Sequence, residues 1–433
     1  MNQTATPAQV TTKPCGCPDF NLSRRRFLAG VAAGTTAMAG ASIFGDAFRQ
    51  VTYGAEAAGP VLVVLSFRGG ADGLSIVVPK NTTDQSVITS QRGSIAIPVD
   101  RLVAGNGNWG LHPALAPLTP MWDAGTFGAV HGAGLASPNR SHFDAMEQVE
   151  LANPGSSTRQ GWINRMIGLG SSLPEEQMQL GSSMLPTALV GQAPALGAGQ
   201  VTDLKLPDLW NDKELTKSLR KMWTGTATSL NGGVRTALGS VGRLASLAGD
   251  GDGLKAAKTR YPAGQLQSVL ANTAQLIKAE VGAKMITIDY GDWDMHNGLG
   301  TSDPQPGQWM YDHLDHFATS MKAFFDDLGT VGNRVTVVTI SEFGRRVQAN
   351  GDHGVDHGYC NAMLALGASV NGGDVRGSSG LNLDKLADGD VPLQHDYRSV
   401  LWDVIKGRFG LSDGQRTAVF PGSWSYASTG IMK

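Results

Sequence analysis

The stretch that most constrains the fold is Val335 to Gly358, VTVVTISEFGRRVQANGDHGVDHG. Its first six residues, Val335–Ile340, are all β-branched, with no alternation between apolar and charged positions. Such a run is the pattern of a strand covered on both faces, as in a parallel sheet. Ser341, Glu342 and the pair Arg345-Arg346 follow at once. A Gly-rich loop then brings His353, Asp356 and His357. In open α/β sheets, ligands sit just outside the carboxyl ends of the strands. Acid, base and imidazole groups delivered to that place form a candidate site. A solvated loop with a salt-bridged arginine pair would use some of the same residues, but it does not need two histidines and an aspartate in so short a span.

Three further runs read as core strands: Val61–Phe67, Met285–Ile288 and Ala362–Gly367, with Phe127–His131 as a shorter one. Amphipathic helices are expected over 212–223, 233–247, 265–281, 306–328 and 396–409. Residues 80–128 read as irregular, and 249–253 as an acidic, Gly-rich turn. Residues 154–260 read as a helical, loop-rich insertion. The fold class that follows is α/β, a largely parallel central sheet flanked by helices on both faces. His313 and His316 stand among Trp309, Leu314, Phe317 and Met321 at helical spacing, which assigns them to packing or to the surface and not to a ligand set. With 433 residues, one large domain from residue 58 to 433 is expected after a leader.

Composition enters mainly by exclusion. The net charge is −2 and only 17% of residues are charged, so the chain lacks the basic footprint of a nucleic-acid binder. Of three cysteines, Cys15 and Cys17 lie near the N-terminus and Cys360 alone in the body. One thiol makes no internal disulfide.

Residues 1–57 read as an export signal. Ser23-Arg24-Arg25-Arg26-Phe27-Leu28 precedes a mildly apolar run of small residues, and Ala55-Glu56-Ala57 has the form of a processing site. The paired arginines resemble the twin-arginine signal, whose machinery carries folded cargo. The run is too short and too rich in small residues for a stable membrane span after processing. The expected location is periplasmic, cell-envelope or extracellular.

Three other strand ends carry chemistry. Val61–Phe67 runs into Arg68-Gly69-Gly70-Ala71-Asp72, where Asp72 either closes a turn or ligates a metal. Met285–Ile288 leads into Asp289-Tyr290-Gly291-Asp292-Trp293-Asp294-Met295-His296. Asp294 and His296 offer oxygen and nitrogen donors that suit zinc or manganese. In Asn139-Arg140-Ser141-His142-Phe143-Asp144, Ser141 is placed as a helix N-cap, with Asp144 in the position of a capping-box partner. The same N-terminus would also suit a nucleophilic hydroxyl or a metal-site residue.

With these residues laid out, the chain resembles the exported family called domain of unknown function 1501. The segments that carry the likeness are LVVLSFRGGADGL, LHPALAPL, NRSHFDAMEQ, GWINRM, Trp293–His296, SEFGRRV with its later DHG, and DYRSVLWDVIKGRFG. That family in turn resembles the alkaline phosphatase and sulfatase superfamily. The resemblance implies an alkaline-phosphatase-like architecture with two divalent ions, zinc, manganese or calcium, flanking a nucleophile. It implies Asp72, Asp294, His296, Glu342, Asp356 and His357 as metal residues and Ser141 as nucleophile. Arg345 or Arg346 would hold the non-bridging oxygens of a phosphate or sulfate ester, small or glycan-borne. Glu342 stands where the superfamily carries an Asp-His pair. Ala136 stands where a sulfatase carries its oxidisable residue, which excludes formylglycine chemistry there. The alternative implied by the same fold is an inactive envelope protein that binds a metal or a glycan.

Overall fold

Among the described residues, nine strands hydrogen-bond into one sheet, and the three that the sequence marks most clearly lie side by side at its centre. The computed structural model describes residues 59–170, 173–204 and 251–433, with scattered residues between 217 and 247. The leader, including Cys15 and Cys17, lies outside the described residues, as do most of the helices expected over 212–223 and 233–247. In chain order the strands are β1 (Val61–Phe67), β2 (Val77–Pro79), β3 (Trp109–Leu111), β4 (Phe127–Gly134), β5 (Gln177–Leu180), β6 (Leu196–Ala198) and β7 (Met285–Tyr290). Then come β8 (Val335–Ile340), β9 (Arg345–Ala349), β10 (Val355–His357), β11 (Asn361–Gly367), β12 (Val375–Arg376) and β13 (His395–Asp396).

The main sheet has the order β12-β4-β11-β8-β1-β7-β5-β6, with β13 also on β4. β1 pairs in parallel with both β7 and β8, and β5 in parallel with β6 and β7. β11 is antiparallel to both of its neighbours, β4 and β8, and is the one reversed strand of this sheet among the described residues. β2–β3 and β9–β10 form two small antiparallel ribbons.

All seven residues of β1 are buried, and they alternate between two cores. Val61, Val63, Leu65 and Phe67 face one core, shared with the helices Gln265–Lys278 and Trp309–Leu328. Leu62 and Val64 face the other, shared with the helices His142–Leu151, Trp162–Ile167 and Tyr397–Phe409. The sheet is therefore covered on both faces, the reason its strands read as continuous apolar runs. His313 stacks on Tyr290 and Trp309 and meets the Gly291 carbonyl at 3.0 Å, a packing role as expected.

Three expectations are corrected. The 80–128 stretch is not irregular: it holds an 11-residue helix, Thr82–Arg92, whose N-cap Asn81 accepts the Asp84 N–H. Its exposed face is polar, so periodicity hardly marks it. Within 154–260, β5 and β6 belong to the main sheet. At the end of that stretch Gly251–Lys258 is helical, overlapping the segment read as a turn.

Candidate metal centre

Each element of the site begins where a strand ends. The carboxyl ends of β1, β7 and β8 are adjacent because those strands pair in parallel and in register. β1 delivers Gly69 and Gly70, β7 delivers Asp294 and His296, and β8 delivers Glu342, Phe343 and Arg345. The β9–β10 ribbon brings Asp356 and His357 back over them. The helix that follows β4 contributes His142 in its first turn. Gly69 has φ +119°, and a Cβ there would lie 2.6 Å from the Asp294 backbone nitrogen. Only glycine lets these two loops approach so closely.

Three imidazoles meet at one point. His357 Nε2 lies 2.9 Å from His142 Nε2 and 3.0 Å from His296 Nε2. Asp294 joins them, with Oδ1 3.1 Å from His357 Nε2 and 3.1 Å from His296 Nε2, and Oδ2 3.4 Å from His142 Nε2. Phe343 packs its ring against His142 and His357, with centroids at 4.9 and 4.8 Å.

The other nitrogen of each ring fixes its tautomer. His142 Nδ1 faces Glu342 Oε1 at 3.0 Å, His296 Nδ1 faces Asp356 Oδ1 at 2.8 Å, and His357 Nδ1 faces the Arg140 carbonyl at 2.9 Å. Carboxylate and carbonyl oxygens only accept, so each Nδ1 carries the hydrogen. A ring with its hydrogen on Nδ1 turns its Nε2 lone pair toward the shared point. The contacts among the three Nε2 atoms and Asp294 join acceptor to acceptor, an arrangement stabilised by a cation placed among them. Histidine ligands of metals commonly donate their second N–H to a carboxylate or carbonyl in this way. Among the described residues, His142, Asp294 and His357 form the one group whose ligand atoms all lie within 4.8 Å of one another, and His296 stands beside it. Nitrogen donors with one carboxylate fit zinc well and calcium poorly.

Charges around the cluster are fixed by burial. Arg345 is fully buried and donates to Asp294 Oδ1 at 2.7 Å, to the carbonyls of Trp293 and Val355 at 3.0 Å each, and to those of Gly69 and Gly70. Partial burial works to raise the Asp294 pKa, but the hydrogen bond and charge of Arg345 outweigh it and hold the carboxyl at about 2. The Asp356 carboxyl lies below its ordinary range, first through its hydrogen bond from Asn350 and then through His296. Glu342 is buried and also accepts the Gly69 N–H at 2.8 Å. The ligand side chains stay accessible: Asp294 is 47% exposed, His296 44%, His142 28% and His357 23%.

The structure thus gathers five of the residues singled out from sequence, Asp294, His296, Glu342, Asp356 and His357, and divides them. Asp294, His296 and His357 point at the centre. Glu342 and Asp356 stand behind the rings. Asp72 does not join them. It is buried, with Oδ1 2.8 Å from Arg92 Nη2 and Oδ2 taken by Arg92 Nη1 and by the Ser75 hydroxyl at 2.5 Å. Arg345 is fully buried, with each of its three guanidinium nitrogens bonded to a protein oxygen, so it is not presented to an ester. Arg346 turns away to the Asp388 carbonyl at 3.0 Å.

Ser141 is exposed at the helix N-terminus, but its hydroxyl makes no capping hydrogen bond, and among the described residues none links it to the imidazoles. The capping box is absent because Asp144 is engaged by Asn139 and Gln148 instead. The residue that reasoning from sequence missed is His142, next to Ser141. Its signal was the one that flagged the others: an imidazole just beyond the carboxyl end of a core strand.

A family described as protein of unknown function (DUF1501) matches residues 121–395. No curated protein matches the chain. Among solved structures, the chain is similar to the C-terminal periplasmic domain of EcEptC from Escherichia coli in complex with Zn, at 12% identity and TM-score 0.36, covering 85% of this chain and 88% of that one. It is also similar to BT1596, a 2-O GAG sulfatase, at 9% identity and TM-score 0.31, covering 72% and 65%. For alkaline phosphatase from the Antarctic bacterium TAB5 the values are 11%, TM-score 0.28, and 72% and 93%.

Proposed function

Starting from a chain that belongs to the DUF1501 family, we propose that it is an exported metal-dependent hydrolase of phosphate or sulfate esters, small or glycan-borne. The observation that carries this reading is the convergence of three Nε2 lone pairs and the Asp294 carboxylate at an accessible point beyond the parallel strands. His142, Asp294, His296 and His357 would hold the ion. A divalent cation bound there supplies Lewis-acid polarisation of an ester oxygen and lowers the pKa of water. The chain's own residues supply the rest. Glu342, Asp356 and the Arg140 carbonyl hold the rings in the metal-binding tautomer, and Arg345 fixes the Asp294 carboxylate. Phe343 shields one side of His142 and His357 from water. No serine or threonine among the described residues is hydrogen-bonded to the four ligand side chains, so water is the proposed nucleophile. The ester class rests on the sequence resemblance. The twin-arginine machinery would export the folded, loaded chain; no helix among the described residues is long and apolar enough to cross a membrane.

The second reading, an envelope protein that binds metal without hydrolysing, is favoured by one observation: Arg345 is fully buried and turned to protein oxygens, not to the open side of the centre. The deciding experiment is elemental analysis of the purified mature chain and of an Asp294→Ala, His296→Ala variant, with aryl phosphates and sulfates as substrates. Bound metal and turnover in the wild type, both lost in the variant, are expected. Metal without turnover on any ester supports the second reading. Folded wild-type protein that takes up no metal defeats both.

A further inference from the structure

The geometry points to a centre that holds one divalent ion, in which the acidic residues available for a second are committed elsewhere. This rests on the metal-binding reading above and deepens it. A second ion needs its own set of unspent ligands. The candidates the sequence offers are Asp72, Glu342 and Asp356, and each has another partner. Asp72 is matched by a guanidinium: both of its oxygens are taken by Arg92, in a fully buried pair that the Ser75 hydroxyl completes. Arg92 is itself anchored by the carbonyls of Val347 and Arg346, at 3.1 and 3.0 Å. The positive charge that a cation would bring to Asp72 is thus already built into the chain. Replacing it would require breaking a bidentate, desolvated pair.

Glu342 and Asp356 are positioning residues, each holding an Nδ1–H so that the Nε2 lone pair faces the ion. Glu342 is bound on one oxygen by His142 and the Gly69 N–H, and meets the Ser341 hydroxyl with the other at 3.2 Å. Asp356 accepts from His296 and, at 3.1 Å, from Asn350, both with Oδ1, and its other oxygen alone does not make a second ligand set. An imidazole Nε2 serves one ion at a time, so the three rings and Asp294 make up one coordination sphere.

The test is metal stoichiometry, which needs no turnover. The full mature chain is loaded with excess zinc, desalted and measured by elemental mass spectrometry, and its affinity is read by competition with a chromophoric chelator. One equivalent is expected. Two equivalents in the wild type would overturn the one-ion centre while leaving the hydrolase reading intact; none would defeat the metal-binding reading itself. In Glu342→Gln and Asp356→Asn, the amide can donate to Nδ1 and invert the tautomer. These variants should still saturate at one equivalent, with Kd raised about 10–100-fold. An unchanged Kd in both would show that the two carboxylates do not position the rings.

Discussion

Arg345 illustrates how one buried charge can organise a site without touching substrate. Its guanidinium ties together the β1 loop through Gly69 and Gly70, the β7 loop through Trp293 and Asp294, and β10 through Val355. Arg345→Ala would leave these carbonyls without donors and Asp294 without its cation, and is expected to cost about 3–5 kcal/mol, read as a shift in urea midpoint. Arg345→Lys should recover only part of this, since an ammonium has three donors and no planar fork. Gly354 acts by having no side chain: a Cβ there would lie 2.2 Å from the His296 backbone carbon. Gly354→Ala is expected to displace the His296 loop and weaken zinc binding while the far-ultraviolet circular dichroism stays native.

At the scale of elements, the helix Thr82–Arg92 matters because its last residue neutralises Asp72. Burial raises the Asp72 pKa, but the Arg92 charge and hydrogen bonds overcome it, so the folded value lies below the ordinary 3.8. A carboxyl with a depressed folded pKa contributes stability that is fully present above its unfolded pKa and is lost as pH falls through the folded one. Arg92→Met removes the cation and leaves a buried carboxylate, with an expected cost of about 3–5 kcal/mol near pH 7. That cost should shrink as pH is lowered toward 4, because the variant's Asp72 can then bury itself protonated. Thermal midpoints of both proteins between pH 4 and 7 test this; a constant difference would contradict the assignment. The helix His142–Leu151 gives the opposite case. Because the Ser141 hydroxyl does not cap it, Ser141→Ala should change stability by less than about 0.5 kcal/mol, where a working cap is worth about 1. It should also leave turnover largely unchanged if water is the nucleophile.

For the whole molecule, the centre links strand ends to segments far apart in the chain. His142 and His357 are separated by 215 positions, His296 and Asp356 by 60. A ligand that binds the folded chain and not the unfolded one stabilises it by mass action, by about 2.7 kcal/mol at a hundredfold excess over Kd. Zinc should therefore raise the melting temperature by several degrees and a chelator should reverse this. The Asp294→Ala, His296→Ala variant should show no zinc-dependent shift.

The sequence by itself determined the central strands, since a strand buried on both faces carries no charge along its buried length, and β1, β8 and the Met285–Ile288 part of β7 read so. It placed the chemistry at their carboxyl ends and marked Asp294, His296, Asp356 and His357, because those donors lie two or fewer residues from each other in pairs. The reversed direction of β11 left no local trace, as a buried strand is apolar whichever way it runs. Division of labour among the acids was decided only by tertiary structure. Whether a carboxylate meets a metal, an imidazole N–H or a guanidinium depends on what stands opposite it. For Glu342 that is His142, 200 positions away; for Asp72 it is Arg92, on a helix too polar for its periodicity to reveal. Local pattern fixes which groups a chain carries to a site, and the packing of distant segments fixes what each group is left free to do.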